Sequence, residues 1–198
     1  MSWDLSAPVW EIAPRLLGAV LSHGPVSVRL VEVEAYDGAN DPASHAYRGM
    51  TRRNAVMFGP PGHLYVYFTY GMHWAANIAC GPEGAASGVL LRAGEVVRGI
   101  EIAQARRGRS TLRDLARGPG RLTQALGIDS TLAGADVLAG SEVRLRPGPA
   151  PERIESGPRV GVSVAADVPW RFWIAGDRFV SAYKRSPRAG ATRSERLQ

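Results

Sequence analysis

Apolar positions recur at two different spacings along this chain, and the changes between them mark out its elements. From Ala13 to Ser22 the spacing is helical: Leu16, Leu17, Val20 and Leu21 share a stripe, Pro14 suits the first turn and Gly24 lies just beyond the end. From Val26 to Tyr36 the spacing drops to two. That predicts a strand with Val31, Val33 and Ala35 on one face and Glu32, Glu34 and Tyr36 on the other. Leu64 to Ala79 predicts two strands joined at Tyr70-Gly71-Met72, where the glycine supplies the positive φ of a tight turn. In its first strand Tyr65, Tyr67 and Thr69 point one way, and Leu64, Val66, Phe68 and Tyr70 the other. One face joins a core; the other is free to present tyrosines, unless the whole is simply a core hairpin with aromatic pairs.

Further elements follow the same logic. Gly88 to Ala93 predicts a buried strand with Arg92 embedded in it. Such an arginine needs a carboxylate, for which Glu34 or Glu32 are candidates, or a route to water at the strand end. Val97 to Ala105 predicts a helix, and a turn at Gly118-Pro119-Gly120 opens another over Arg121 to Leu126. Glu142 to Arg146, Val160 to Val164, Trp170 to Ile174 and Phe179 to Ala182 predict short strands separated by Gly and Pro. Asp37 to Gly62 is a long connection in which Asp41 can cap a short helix over Ala43 to Tyr47. Ser186 to Gln198 has the composition of a frayed tail, which leaves one domain over residues 1–185.

Size and composition narrow the classes. The 198 residues, 45% of them hydrophobic, suffice for one core without staples. No apolar run approaches a membrane span, and the start of the chain has no secretory pattern. Cys80 is the single cysteine, so a reducing cytoplasm is expected. The net charge is +6, and of 24 basic residues only Lys184 is lysine. A polyanionic partner explains the arginines; so does a GC-rich codon supply. The run Arg106, Arg107, Arg109, Arg113, Arg117 and Arg121 is interrupted by one acid, Asp114. It is either a solvated face or a phosphate-binding surface, the latter helped by free amides at a helix start.

Chemistry has few starting points. Metal-ligand spacings, a Walker loop, a dinucleotide fingerprint and a Gly-x-Ser-x-Gly elbow are all missing from the sequence. Neither a metal nor a cofactor is expected. Glu32, Glu34 and Tyr36 on one strand face are a solvated surface or a general base on the floor of an aromatic pocket.

Five spaced motifs favour the second choice. They are Val31-Glu-Val-Glu-Ala-Tyr36, Ser44-His-Ala-Tyr-Arg-Gly49, Arg53-Asn-Ala-Val-Met-Phe58, the run from Gly62 to Trp74, and Val89-Leu-Leu-Arg-Ala93. With Gly118-Pro119, Arg159-Val-Gly161 and Pro169-Trp-Arg-Phe172, they resemble the alkyladenine (3-methyladenine) DNA glycosylase family over residues 13–182. Met50 and Arg52 depart from its pattern. The resemblance implies a compact α+β domain on a curved antiparallel sheet, with surrounding helices and a protruding hairpin. It implies an enzyme that flips damaged purines out of double-stranded DNA and hydrolyses their N-glycosidic bond; a monomer is the default expectation. Glu34 would be the general base and Arg92 its partner in holding the water. Tyr36, His45, Tyr67 and Asn77 would line the base pocket, Tyr70 and Met72 would enter the duplex, and Arg53 and Arg121 would meet the backbone. The competing readings are a non-catalytic nucleic-acid-binding module and an N-glycosidase for RNA or nucleosides, which has less use for a wedge tyrosine.

Overall fold

The computed structural model describes residues 3–69, 71–140 and 142–190. Tyr70 and residues 191–198 of the expected tail lie outside them. The described residues build one antiparallel sheet and three short helices, the expected α+β architecture. The strands are β1 (Val20–His23), β2 (Val26–Asp37), β3 (Leu64–Thr69), β4 (His73–Cys80), β5 (Ser87–Arg98), β6 (Val143–Arg146), β7 (Ile154–Gly157) and β8 (Arg171–Ile174). The helices are α1 (Val9–Arg15), α2 (Ile100–Arg107) and α3 (Pro119–Leu126).

The sheet runs β3-β4-β5-β2-β1-β6, and β2 is its spine. Its first half pairs with β1, its second half with β8, and β5 follows it along the other edge. Three irregularities interrupt the β2–β5 ladder, between Ser27 and Val28, between Leu30 and Glu32 and between Glu32 and Val33; at the last two the strands turn over. Val31 is the extra residue on β2 and Arg92 the extra residue on β5. Each insertion reverses the alternation of side chains along its strand. Val26, Val28 and Leu30 face the main core; beyond the bulge, Val33 and Ala35 do. Val31 instead packs with Ala93 and Phe179 on the opposite side, which corrects its expected place beside Val33. α1 and α3 cover the core face through Ile12, Ala13, Leu122, Ala125 and Leu126.

The bulged region also demands a glycine. A Cβ on Gly94 would lie 2.3 Å from Val28 Cγ1 and 2.5 Å from the Arg29 carbonyl oxygen. The two central strands therefore approach closely just where their register slips.

Several boundaries differ from the periodicity. The helix expected over Ala13–Ser22 lies earlier, and Val20–His23 is a strand hydrogen-bonded on both sides. Leu21 is buried in either state, so the apolar run did not distinguish them. The second helix begins at Ile100 because β5 continues through Arg98. Ala43 to Tyr47 forms turns in place of a helix, and Val160–Val164 and Phe179–Ala182 are not strands. Both are loop segments whose polar contacts go to the site described below. β7, which has only one buried residue, was not anticipated.

Candidate active site

The parity of β3 sorts its side chains as expected. Leu64 and Val66 enter the core, while Tyr65, Tyr67 and Thr69 face a cavity of about 200 Å³. Tyr36, Ser44, His45, Asn77, Arg92 and Val160 complete much of its lining. Strands β2 to β5, the 38–62 connection and the loop after β7 thus converge on one space.

Aromatic rings build one wall. Tyr65 and Tyr67 stack with centroids 5.3 Å apart, and His45 meets Tyr67 edge-on at 4.6 Å. The Tyr65 hydroxyl and His45 Nδ1 lie 3.3 Å apart. Tyr65, on the same strand face as Tyr67, belongs to the pocket wall as well. Burial, with the neighbouring Arg53 charge second, lowers the His45 pKa below 6.5, so the ring is neutral at pH 7. Burial, followed by Tyr65 and Glu34, pushes Tyr67 up to about 12. Asn77 is buried, and its side-chain amide donates to the Tyr65 carbonyl at 3.5 Å.

The carboxylates lie behind this space. Glu34 is 0% exposed. Its Oε2 accepts from the Tyr36 hydroxyl at 2.8 Å and its Oε1 from the Val160 amide at 2.7 Å. Arg92 Nη1 stands 3.4 Å from the same Oε1. Burial, reinforced by Glu34, holds Tyr36 well above its usual pKa, so its hydroxyl stays a donor. Glu34, Tyr36 and Arg92 are therefore brought together with His45, Tyr67 and Asn77.

Glu32 has a different setting. Its Oε1 accepts from Arg92 Nε at 3.1 Å, Arg171 Nε at 2.7 Å and the Ser181 hydroxyl at 3.0 Å. Its Oε2 accepts from the Ser181 amide at 2.7 Å. Arg92 is thus clasped between Glu32 and Glu34, where the sequence offered either one. A third buried pair, Arg159 with Asp41, lies beside Tyr36. Arg159, Arg171 and Ser181 had no signal in periodicity or spacing, because their partners lie 118 to 149 residues away. Only the quoted motifs around Arg159 and Arg171 marked their neighbourhood.

Toward the hairpin tip, Phe68 and Met72 are 46% and 69% exposed. Arg53 donates to the Phe68 carbonyl at 3.0 Å and stands 5.5 Å from the Tyr67 ring centroid. Arg121 pairs with Asp114 at 3.1 Å. Both arginines are exposed, but each already has a partner within the protein. The intercalating tyrosine expected at position 70 falls outside the described residues. Among those described, no group of three or more His, Cys, Asp or Glu side chains is placed to hold a metal ion. No described helix is long and apolar enough to cross a membrane.

The sequence profile of the methylpurine-DNA glycosylases matches residues 4–178. The chain belongs to the methylpurine-DNA glycosylase family. Relatives within this glycosylase family are close in sequence and length. A Frankia casuarinae protein is 53% identical, with 91% of each chain covered, and bears the name "Putative 3-methyladenine DNA glycosylase". Proteins of the same name from Streptomyces avermitilis and Leifsonia xyli are 53% and 55% identical. The first covers 93% of this chain and 92% of its own, the second 89% of each.

Proposed function

We propose that this chain is a monofunctional DNA glycosylase that removes alkylated or deaminated purines, of the 3-methyladenine, hypoxanthine and ethenoadenine class. It hydrolyses the N-glycosidic bond and leaves an abasic site. The observation that carries this reading is Glu34: a carboxylate buried behind an aromatic cavity and held there by Tyr36, the Val160 amide and Arg92. It is set out as a poised base and not as a solvated surface acid, so a purely binding role for the cavity is the weaker reading.

The chemistry follows from the contacts. A base within the stack is beyond attack at its sugar, so its nucleotide must leave the duplex at a cost of a few kcal/mol. A residue wedged into the vacated position offsets that cost, the role proposed for Tyr70 with Met72 beside it. Stacking on Tyr36 and Tyr67 returns about 1–3 kcal/mol per base. Positively charged 3-methyladenine gains a further cation–π attraction. Buried Asn77 crowds any purine carrying an exocyclic 2-amino group.

Glu34 Oε1 accepts from the Val160 amide and faces the Arg92 charge, whereas among the described residues Oε2 accepts only the Tyr36 hydroxyl. Oε2 thus retains a lone pair for the attacking water. Its charge also opposes the positive charge that develops on the sugar. Arg92 holds the carboxylate and the water in line. The protein acts as a monomer in the bacterial cytoplasm, with Arg53 and Arg121 among its backbone contacts.

The deciding experiment is single-turnover cleavage of a duplex with one ethenoadenine or hypoxanthine, the abasic product being revealed by alkali. Glu34→Gln should lose cleavage and keep lesion binding; undiminished cleavage removes Glu34 from the role of base. Strand cleavage coupled to base removal requires an amine that forms a Schiff base. Lys184 is the only side-chain amine, and its backbone carbonyl accepts from Gly161 at the cavity wall. Borohydride should nevertheless trap no covalent complex, since Glu34-activated water completes the reaction. A trapped adduct would refute the monofunctional assignment.

A further inference from the structure

Arg159 and Asp41 have no part in the mechanism above, yet their side chains are 0% and 1% exposed. Their contacts converge on three consecutive residues of β2. Arg159 Nη1 donates to the carbonyl of Ala35 at 3.0 Å. The guanidinium lies against the Tyr36 ring, 4.6 Å from its centroid. The amide of the next residue, Val160, donates to Glu34 Oε1. One dipeptide therefore grips Glu34 by its carboxylate, Ala35 by its backbone and Tyr36 by its ring.

We propose that the Arg159–Asp41 pair is a positioning unit for Glu34, which fixes the two donors that orient its carboxylate, the Tyr36 hydroxyl and the Val160 amide. The proposal rests on Glu34 being the general base. Asp41 supplies the anchor: its two oxygens chelate both terminal nitrogens of Arg159, Nη2–Oδ1 being 2.9 Å. Asp41 Oδ1 also accepts from the Ala43 amide at 3.0 Å, at the start of the turn that carries Ser44 and His45. The same carboxylate thereby ties the pocket's loop to the segment that holds Glu34.

The orientation of the guanidinium is informative. Nη2 faces the Ala165 carbonyl at 3.5 Å and Trp170 packs 5.5 Å from Cζ, but Nε is buried without a partner among the described residues. An unpaired buried donor is costly. Chelation by Asp41 and stacking on Tyr36 hold the group in that orientation in spite of the cost. Lysine keeps the charge but loses the planar stack and the two-point chelate, so it does not replace this function.

The test combines kinetics with amide exchange. Arg159→Lys should slow single-turnover excision of ethenoadenine by about 10- to 100-fold, the range expected for slight misplacement of reacting groups. Lesion affinity should fall distinctly less than the excision rate, since Tyr65 and Tyr67 on the facing wall make no contact with the pair. In a Tyr36→Phe background the same substitution should cost distinctly less, because one of the donors it positions is already gone. The Val160 amide should exchange at least about tenfold faster than in wild type, while the Val28 amide, in the far half of β2, keeps its rate.

Additive rate losses, or a rate loss that only tracks the thermal midpoint, would overturn the proposal. Unchanged Val160 exchange would overturn it too. Asp41→Asn serves as the second variant and should behave alike; failure of both to fold would mark the pair as purely structural and also overturn it. Should wild type excise nothing, or Glu34→Gln remain active, the reading of Glu34 fails while Val160 exchange still decides whether the pair positions that loop.

Discussion

Glu32 and Glu34 stand two residues apart on β2, are equally buried and share Arg92, yet their remaining partners differ. Glu32 receives four hydrogen bonds, from Arg92, Arg171 and Ser181, across its two oxygens. Burial, the largest single influence, pushes its pKa up, but Arg92, Arg171 and the Ser181 amide outweigh it and hold the carboxyl below 4.5. A depressed acid stabilises the fold above its unfolded pKa, and the contribution is lost as pH falls through the lower folded value. The denaturant midpoint of wild type should therefore fall more steeply below about pH 4.5 than that of Glu32→Gln. Equal acid slopes would mean that Glu32 carries no such linkage. At pH 7 Glu32→Gln should destabilise by about 3–5 kcal/mol, because two buried arginines lose a shared partner. The paired glutamates, Tyr36 and Arg92 were legible as candidates in the sequence, since they share a strand face or a motif. The different settings of the two acids were not, because they depend on Arg171 and Ser181, 139 and 149 residues further along.

The elements contribute through a slip in their pairing. Val31 and Arg92 are the extra residues of neighbouring strands, so the central ladder turns over within a few residues. Arg92 thereby reaches both acids, while the core stripe passes from even to odd positions. Gly94 makes the close approach possible, and Gly94→Ala should destabilise by about 1–3 kcal/mol through overpacking against Val28 and the Arg29 backbone. A denaturation midpoint unchanged from wild type would show that the strands can part without cost. Period-two alternation did reveal β2 and the two faces of β3. It could not reveal the bulge, because a bulge is a property of two strands and leaves no gap in the sequence of either. The same limit explains β1: four residues with one core position fit a helix end as well as a strand, until β2 and β6 bond to both its edges.

At the scale of the whole molecule, the buried charges cancel. Among the described residues the buried ionic side chains are Arg92, Arg159 and Arg171 against Glu32, Glu34 and Asp41, so the net +6 of the chain resides outside the interior. The basic run was legible, but its internal uses were not. Arg106, Arg107, Arg113 and Arg117 each donate to a backbone carbonyl, and Arg117 and Arg121 share Asp114. The run is thus partly a structural clamp, and any phosphate would have to compete with Asp114 for its exposed end. Affinity for undamaged duplex should fall linearly with the logarithm of salt, with a slope set by the phosphates neutralised. Arg121→Ala should make that slope shallower by about one. Asp114→Asn should do the reverse, tightening low-salt binding by about two- to fivefold, because an exposed ion pair worth no more than about 1 kcal/mol no longer competes for Arg121. Should the two substitutions leave the salt slope unchanged, the arginines at the start of α3 make no phosphate contact, and the DNA path must follow Arg53 and the hairpin.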